Sequence, residues 1–281
     1  MPTTDAPLTI PAQDDLRIAP FEPAHLDGAL RLSRDAGWPH RAEDWALTLS
    51  VSQGVVALSR GEVVGTALCS DFGQVATLNM IIVDAAMRGR GLGRALMERI
   101  IAPVDGRELR LVATSDGLPL YERLGFAACG EIVQHQGLAR ALPPEVAVTT
   151  GRASDADLLA RMDLAASGMS RGALIAAIAE QGEVLCAARG FAVLRAFGRG
   201  QVLGPVVAQD GATARALMAE AARRCDGSFL RVDLPAETGL SAHAETLGLA
   251  VAGGGTAMRR TPRDRAPTEF TTYALVSQAL G

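Results

Sequence analysis

The chain of 281 residues contains no lysine; all 27 basic side chains are arginine, set against 31 acidic ones for a formal net charge of −4. A mildly acidic protein without a basic stripe is a poor match for nucleic acid, whose phosphates are held by clustered cations. Long apolar runs are missing as well. No stretch of about 18 uncharged apolar residues is present, so no membrane span is expected. No basic segment leads into an apolar one as in a secretory signal, and a cytoplasmic location is expected. The four cysteines, Cys69, Cys129, Cys186 and Cys225, form no C-x-x-C pair. They read as reduced core thiols rather than disulfides or zinc ligands, and no metal site is expected. What is present is ample apolar material, 48% of residues, in a length that suits two domains of ordinary size.

One stretch organises the chain. Residues 79–83 are apolar apart from Asn79 and rich in β-branched side chains, the pattern of a buried strand that ends at Asp84. Leu96, Met97, Ile100 and Ile101 then recur at helical spacing until Pro103 and Gly106 stop the helix. Between them runs Arg88-Gly89-Arg90-Gly91-Leu92-Gly93-Arg94, so the join is strand, glycine-rich loop, helix. The first N–H groups of a helix have no intrahelical acceptor, and the helix dipole adds positive potential where they point. Such a loop is a ready site for phosphate. Its three glycines let a ligand approach the backbone closely, and its three arginines add positive charge at the rim. The loop is not a P-loop, since it lacks the terminal Lys and Ser/Thr. Nor is it a Rossmann fingerprint, since counting from Gly89 places Arg94 where the last glycine belongs.

A second motif comes after the apolar strand over residues 109–113: Thr114-Ser115-Asp116-Gly117-Leu118-Pro119-Leu120-Tyr121-Glu122-Arg123-Leu124-Gly125-Phe126. The pattern R-x-x-G-x-G, filled by Arg88, Gly91 and Gly93, followed by a short helix bearing Tyr before Leu-Gly-Phe, resembles the paired signatures of the GCN5-related N-acetyltransferase (GNAT) superfamily. The resemblance implies an α+β (mixed α/β) fold, a twisted and mostly antiparallel sheet flanked by helices. It also implies direct transfer of an acetyl group from acetyl-CoA to an amine. By the same resemblance Arg88, Gly89, Arg90, Gly91, Leu92, Gly93 and Arg94 cradle the pyrophosphate, and Ile81, Ile82 and Val83 offer backbone to the pantetheine arm. Thr114 stands where many members carry an Asn that contacts pantetheine. Tyr121 would protonate the departing thiolate, help of a kind that contributes ~10² to 10⁴ in rate. Its alternative role is an aromatic filling the gap beneath the short helix.

From the N-terminus onward, residues 1–15 read as a loose leader with Pro2, Pro7 and Pro11, and Leu16-Arg17-Ile18 begins a first strand. A helix over residues 24–36 closes at Gly37, and a second covers residues 43–50. By resemblance the connection between them, with Trp38, walls the acceptor pocket. Residues 55–59 and 63–69 form a hairpin, residues 75–83 feed the phosphate loop, and residues 127–136 close the first domain. Residues 138–144, with Pro143-Pro144, read as a linker.

The remainder of the chain is a worn copy of the first half. Arg189-Gly190 answers Arg60-Gly61, Arg215-Ala216-Leu217-Met218 repeats Arg94-Ala95-Leu96-Met97, and Leu247-Gly248-Leu249 answers Leu124-Gly125-Phe126, at near-constant spacing. The expected organisation is a catalytic GNAT domain over residues 1–142 and a degenerate GNAT-like domain over residues 143–281. Opposite the phosphate loop the copy has Gln209-Asp210-Gly211-Ala212-Thr213-Ala214, which places an acidic side chain where phosphate would sit, and opposite Tyr121 it has Ala244. The second domain is therefore expected to stabilise or wall off the acceptor cleft. The tail over residues 268–281 is expected to add a last strand to the second sheet.

The general base stays open at this point. Asp71 and Asn79, near the ends of the central strands, are candidates acting through water and, with Trp38, candidate acceptor contacts. His40 and His135 are further candidates, as histidine is the side chain suited to proton transfer near neutrality. The function read from the sequence is an acetyl-CoA-dependent N-acetyltransferase acting on a small-molecule amine or amino-acid-like metabolite. The alternatives are a non-catalytic acyl-CoA sensor, which has no need of Tyr121 as a proton donor, and a thiol-cofactor synthase of the mycothiol synthase type, in which the C-terminal repeat does the work. The oligomeric state is open.

Overall fold

The hydrophobic alternations and helical spacings form elements in the expected order in a computed structural model that describes residues 16–281; the leader expected over residues 1–15 lies outside the described residues. The first half runs β1 (Leu16–Pro20), α1 (Leu26–Asp35), α2 (Ala42–Ser50), β2 (Gln53–Ser59), β3 (Glu62–Phe72), β4 (Val75–Val83), α3 (Leu92–Ile101), β5 (Glu108–Ala113), α4 (Leu118–Arg123) and β6 (Ala127–Leu138). The second half continues with β7 (Thr149–Thr150), α5 (Ala156–Ser167), α6 (Gly172–Gln181), β8 (Glu183–Ala187), β9 (Gly190–Phe197), β10 (Gly200–Ala208), α7 (Gly211–Arg224), β11 (Phe229–Pro235), α8 (Ser241–Thr246), β12 (Ala250–Arg260) and β13 (Thr271–Ala274). The Arg-Ala-Leu-Met repeats fall on α3 and α7, and the Leu-Gly repeats come after α4 and α8, so the sequence echo is an echo of structure.

The two halves share one 13-stranded sheet in the order β1-β2-β3-β4-β5-β12-β6-β11-β10-β9-β8-β7, with β13 added beside β10. Only β4–β5 and β10–β11 pair in parallel among the described strands. This corrects one expectation. The strand over residues 127–136 does not close the first half; β12 pairs with β5 from Thr256↔Ala113 to Arg260↔Leu109, and β6 pairs with β12 on one edge and β11 on the other. The halves exchange their last strands, which covers both inner sheet edges with backbone partners and leaves none open at the middle. The break in the pattern accordingly comes after Leu138, which is still strand.

Apolar cores lie on both faces of the sheet. Leu92, Leu96, Met97 and Ile100 of α3 pack on Ala76, Leu78, Leu109 and Leu111, and Met258 of the exchanged β12 joins them. Trp45 and Leu32 pack on the opposite face of β2–β4 against Val56, Leu58, Leu68 and Met80. In the second half α7 packs on Leu194, Leu203, Leu230 and Val232, whereas α6 packs on Phe191, Val193 and Val207, the alternating residues of the same strands. The cysteines are all free, but only Cys69 and Cys225 are core thiols; Cys186 is partly covered and Cys129, on β6, is exposed. Among the described residues no helix is long and apolar enough to cross a membrane.

Candidate functional site

The parallel pairing of β4 and β5 lasts three residues, from Val75↔Glu108 to Thr77↔Arg110, and then stops. A bulge explains the parting. The β3–β4 register shifts between Thr66 and Leu68, and Met80 takes a left-handed φ of 49°, pinned by the Thr66 hydroxyl donating to its carbonyl at 2.7 Å. A bulge re-aims a strand, and a non-glycine residue held at positive φ marks a place where the surrounding structure dictates the backbone. Beyond Thr77 the edge of β4 that would face β5, including Ile81, Ile82 and Val83, has no strand beside it among the described residues, while its other edge remains paired with β3.

The wedge leads to the glycine loop. Gly89 and Gly91 adopt φ of 76° and 78°, and a Cβ at either would meet nothing within 4 Å, so glycine is needed there for conformation on an open surface. Gly91 caps α3, and the first helical hydrogen bond runs from the Ala95 amide to the Gly91 carbonyl. The amides of Leu92, Gly93 and Arg94 are thus the free N–H groups of a helix start. Arg88 lies beside Asp116 at 3.5 Å, and Arg94 turns back along its own helix to Glu98 at 2.7 Å.

The corresponding place in the second half is closed twice over. Asp210 caps α7, its carboxylate accepting from the Thr213 amide at 2.7 Å and pairing with Arg189 at 3.2 Å. The hydrogen bond from Thr213 holds this carboxyl below the usual range, so an anion already occupies the helix start. The wedge between β10 and β11, which also stop pairing after three residues, contains β13, paired antiparallel with Val206, Val207 and Ala208, and the Leu275 amide donates to the Asp233 carbonyl of β11 at 2.9 Å. The tail therefore adds its strand inside the second wedge rather than at a sheet edge. Ala244, opposite Tyr121, is buried and brings no hydroxyl.

Tyr121 is 7% exposed, edge-on to Phe126 with ring centroids 6.2 Å apart. A Cβ at Gly117 would stand 2.8 Å from the Tyr121 ring, so the absence of a side chain there makes room for it. Burial pushes the phenol up to about 12, which keeps the proton on the oxygen at any working pH. The ring lines a cavity of about 310 Å³ at the wedge, together with Trp38, Asn79, Ile81 and Thr114. With His40, the structure thus gathers six of the residues named from the sequence around one chamber. Asn79 is buried, its amide nitrogen donating to the Ser70 hydroxyl at 3.0 Å and its Oδ1 unpartnered. Ile82 instead packs into the core under α1.

Asp71 does not belong to this chamber. It sits at the β3–β4 turn, accepting from the Gly73 amide at 3.0 Å and paired with Arg107, and it lines a separate cavity with Ser50, Arg99 and Val104. The turn claims its carboxylate. His135 is fully buried with Nδ1 against the Leu249 carbonyl at 3.0 Å and also stays out of the chamber.

His40 does line the chamber, its ring edge-on to Trp38 at 5.8 Å and to Phe197 at 5.6 Å. Burial lowers its pKa to about 4, with Arg231 and Arg195 adding to the effect against the pull of Asp44 and Asp233. A neutral imidazole at neutral pH is a hydrogen-bond acceptor. Sequence reasoning passed over Gln134, Phe197, Arg231, Ser277 and Gln278, all of which line the same chamber and come from β6, the second half and the tail. Nothing local marks them, because their placement depends on the strand exchange and on how the β9–β10 turn meets the α1–α2 connection. There Arg41 donates to the Ala196 carbonyl at 3.0 Å and the Gly198 amide donates to Asp44 at 2.9 Å. Burial alone would raise Asp44, but hydrogen bonds from the Arg41 side chain and from the Arg41 and Gly198 amides outweigh it and hold the carboxyl below its usual range. The second half is thereby fastened to the loop that walls the chamber.

Comparison with known proteins agrees with this geometry. Two family models, each described as an acetyltransferase (GNAT) domain, match residues 50–128 and 159–274. The chain is 30% identical to YitH of Bacillus subtilis, an uncharacterized N-acetyltransferase, over 92% of this chain and 95% of the relative. In fold it is similar to a putative acetyltransferase from Pyrococcus horikoshii, with a TM-score of 0.83 and 18% identity over 99% of this chain and 100% of that one. It is also similar in fold to a tandem GNAT protein from the clavulanic acid biosynthesis pathway, with a TM-score of 0.61 and 15% identity over 89% of this chain and 100% of that one. With a relative matched over nearly its whole length and a GNAT unit recognised in each half, the chain belongs to the GNAT acetyltransferase family and is an acyltransferase built from two such units in tandem.

Proposed function

We propose that the chain transfers an acetyl group from acetyl-CoA to the amine of a small molecule at one centre, formed by residues 1–142 and walled by residues 143–281. The observation that carries this reading is an asymmetry. Among the described residues no strand fills the first wedge, which has Tyr121 in its cavity wall and the uncapped start of α3 beside β4, whereas the second holds β13 and a carboxylate cap. The open positions around Gly89 and Gly91 and the unpaired β4 edge fit the coenzyme, whose pyrophosphate and extended pantetheine arm need an amide cluster and a strand edge.

Acetyl-CoA supplies the acetyl group as a thioester. The amides of residues 89–94 hold the diphosphate, with Arg88 and Arg94 adding charge at the rim, and the backbone of Ile81 and Val83 orients the arm. Tyr121, kept protonated by burial, is placed to give its proton to the sulfur as it leaves. His40, neutral at neutral pH, accepts a hydrogen bond from the attacking amine directly or through water, its lowered pKa making it a positioning acceptor rather than a strong base. The four free cysteines fit a reducing compartment, and we place the enzyme in the cytoplasm.

The test is thiol release from acetyl-CoA with a panel of amines, wild type against Tyr121→Phe. Turnover that depends on an amine and falls with the phenol supports the reading. Tight CoA binding with no turnover on any amine replaces it with that of an acyl-CoA sensor.

A further inference from the structure

We propose that the acceptor is an amine carrying a carboxylate, and that Arg199, with Arg231 behind it, seats that carboxylate at the outer end of the chamber; this rests on the reading that the chamber takes the acceptor. A second cavity, of about 200 Å³, opens beside the first, and the two share Pro39, Gln134, Phe197 and Arg231 among their walls. The two cavities lie side by side between Tyr121 and the β9–β10 turn, and Arg231 and Phe197 form part of the wall of both.

The charges along these cavities are few and of one sign. Among the described residues no aspartate or glutamate lines either cavity; the ionised side chains there are Arg231, common to both, and Arg199 at the outer mouth. Arg231 is a built feature, 8% exposed and stacked 5.2 Å from the Phe197 ring, with Nε and Nη2 held by Asp233 at distances from 2.9 to 3.2 Å. Asp233 matches its charge from behind. Its Nη1 has no hydrogen-bond partner among the described residues, and the side chain lines both cavities. Arg199 is exposed and forms no ion pair among the described residues. Its turn is fixed: Gly198 donates to Asp44, and a Cβ on Gly198 would stand 3.1 Å from the Pro39 carbonyl.

One uncompensated cation beside a neutralised one suits a single negative charge. A guanidinium fork with its donors free pairs with a carboxylate in two parallel hydrogen bonds, the stronger class of such contacts. A doubly charged phosphate would be only half matched. A polyamine or a multiply cationic amine would meet two arginines and no carboxylate, which is repulsive in an enclosed space. The same absence of carboxylates helps the chemistry, because no carboxylate lining the cavities stabilises the ammonium form of the acceptor over the neutral amine that must attack.

The experiment is calorimetric titration of the CoA-loaded protein with each common L-amino acid, with its primary amide and with aminoalkyl phosphates, for wild type and Arg199→Ala, followed by acetyl transfer on the same panel. The inference expects one or more amino acids to bind about tenfold or more tightly than the matching amide, the scale of one charge-assisted contact. In Arg199→Ala that preference should collapse while CoA affinity stays unchanged. Equal affinity for acid and amide, no binding by any amino acid, or a preference that survives Arg199→Ala overturns the inference. Tighter binding of the phosphates overturns the carboxylate in favour of phosphate. Acid-selective binding without transfer on any member overturns the carboxylate-bearing acceptor and leaves the proposed function to the wider amine panel.

Discussion

Acidification should weaken the fold through one imidazole. His40 has an ordinary pKa of 6.5 when exposed in the unfolded chain and about 4 in its enclosure of Trp38, Phe197 and two nearby guanidinium groups. Between those values the unfolded chain takes up a proton that the folded chain refuses, so the unfolded state binds more protons and stability rises with pH. The contribution is intact above pH 6.5, erodes as the pH falls and is exhausted near pH 4. The full depression corresponds to about 3 kcal/mol at most, and about 2 kcal/mol of it is lost by pH 5. His243, also lowered by burial, acts in the same direction. The effect of His40 must therefore be read as a difference. Asp44 does not interfere, because a carboxyl held below its usual range keeps its contribution until the pH drops through that range, well below 5. The assay is urea unfolding of wild type and His40→Gln at pH 7 and pH 5. Wild type should lose about 2 kcal/mol more than the variant across that interval. Parallel losses would show that the chamber does not shield the imidazole, and would remove the ground for treating it as a neutral acceptor.

Other perturbations probe separate parts. Tyr121→Phe should lower kcat about 10²-fold or more with CoA affinity retained, checked by thiol release and titration in parallel; an unchanged kcat would reduce the ring to packing. Arg171, fully buried, grips Asp163 through two hydrogen bonds and donates to the Leu280 and Gly281 carbonyls, which fastens the tail beside the chamber. Arg171→Met strands a buried carboxylate and should cost about 3–5 kcal/mol in urea unfolding, part of which Arg171→Met with Asp163→Leu recovers.

Much of the first half was legible in the sequence because its signals are local. Asn79 to Val83 announced a strand, Gly89, Gly91 and Gly93 a loop, and Leu96 to Ile101 a helix, each from neighbours a few residues away, and the elements formed where those signals placed them. Tyr121 was found the same way, from its distance to Leu124-Gly125-Phe126. Pairing partners were another matter. The alternation in residues 127–136 says strand but not beside which strand, so the exchange of β6 and β12 was invisible, and with it the arrival of Gln134 at the chamber. Thr271 to Ala274 read as a strand completing the second sheet, yet nothing in those residues says that it enters a wedge between two other strands. His40 was in view, but its enclosure by Phe197 of the other half, which sets its proton affinity, depends on a contact far away in sequence. Asp71 went the other way, because a short-range turn to Gly73 outcompeted any role at the centre.

Counting coenzyme sites tests the account most directly. Calorimetric titration with CoA should give one site per chain. Gly91→Asp would put a negative charge at the start of α3, as Asp210 does at α7, at a left-handed position that aspartate tolerates better than most residues, and should abolish that binding in a folded protein. Asp210→Gly should leave the count at one, because β13 still fills the second wedge. Two sites in the wild type, or one site that Gly91→Asp leaves untouched, would contradict the account.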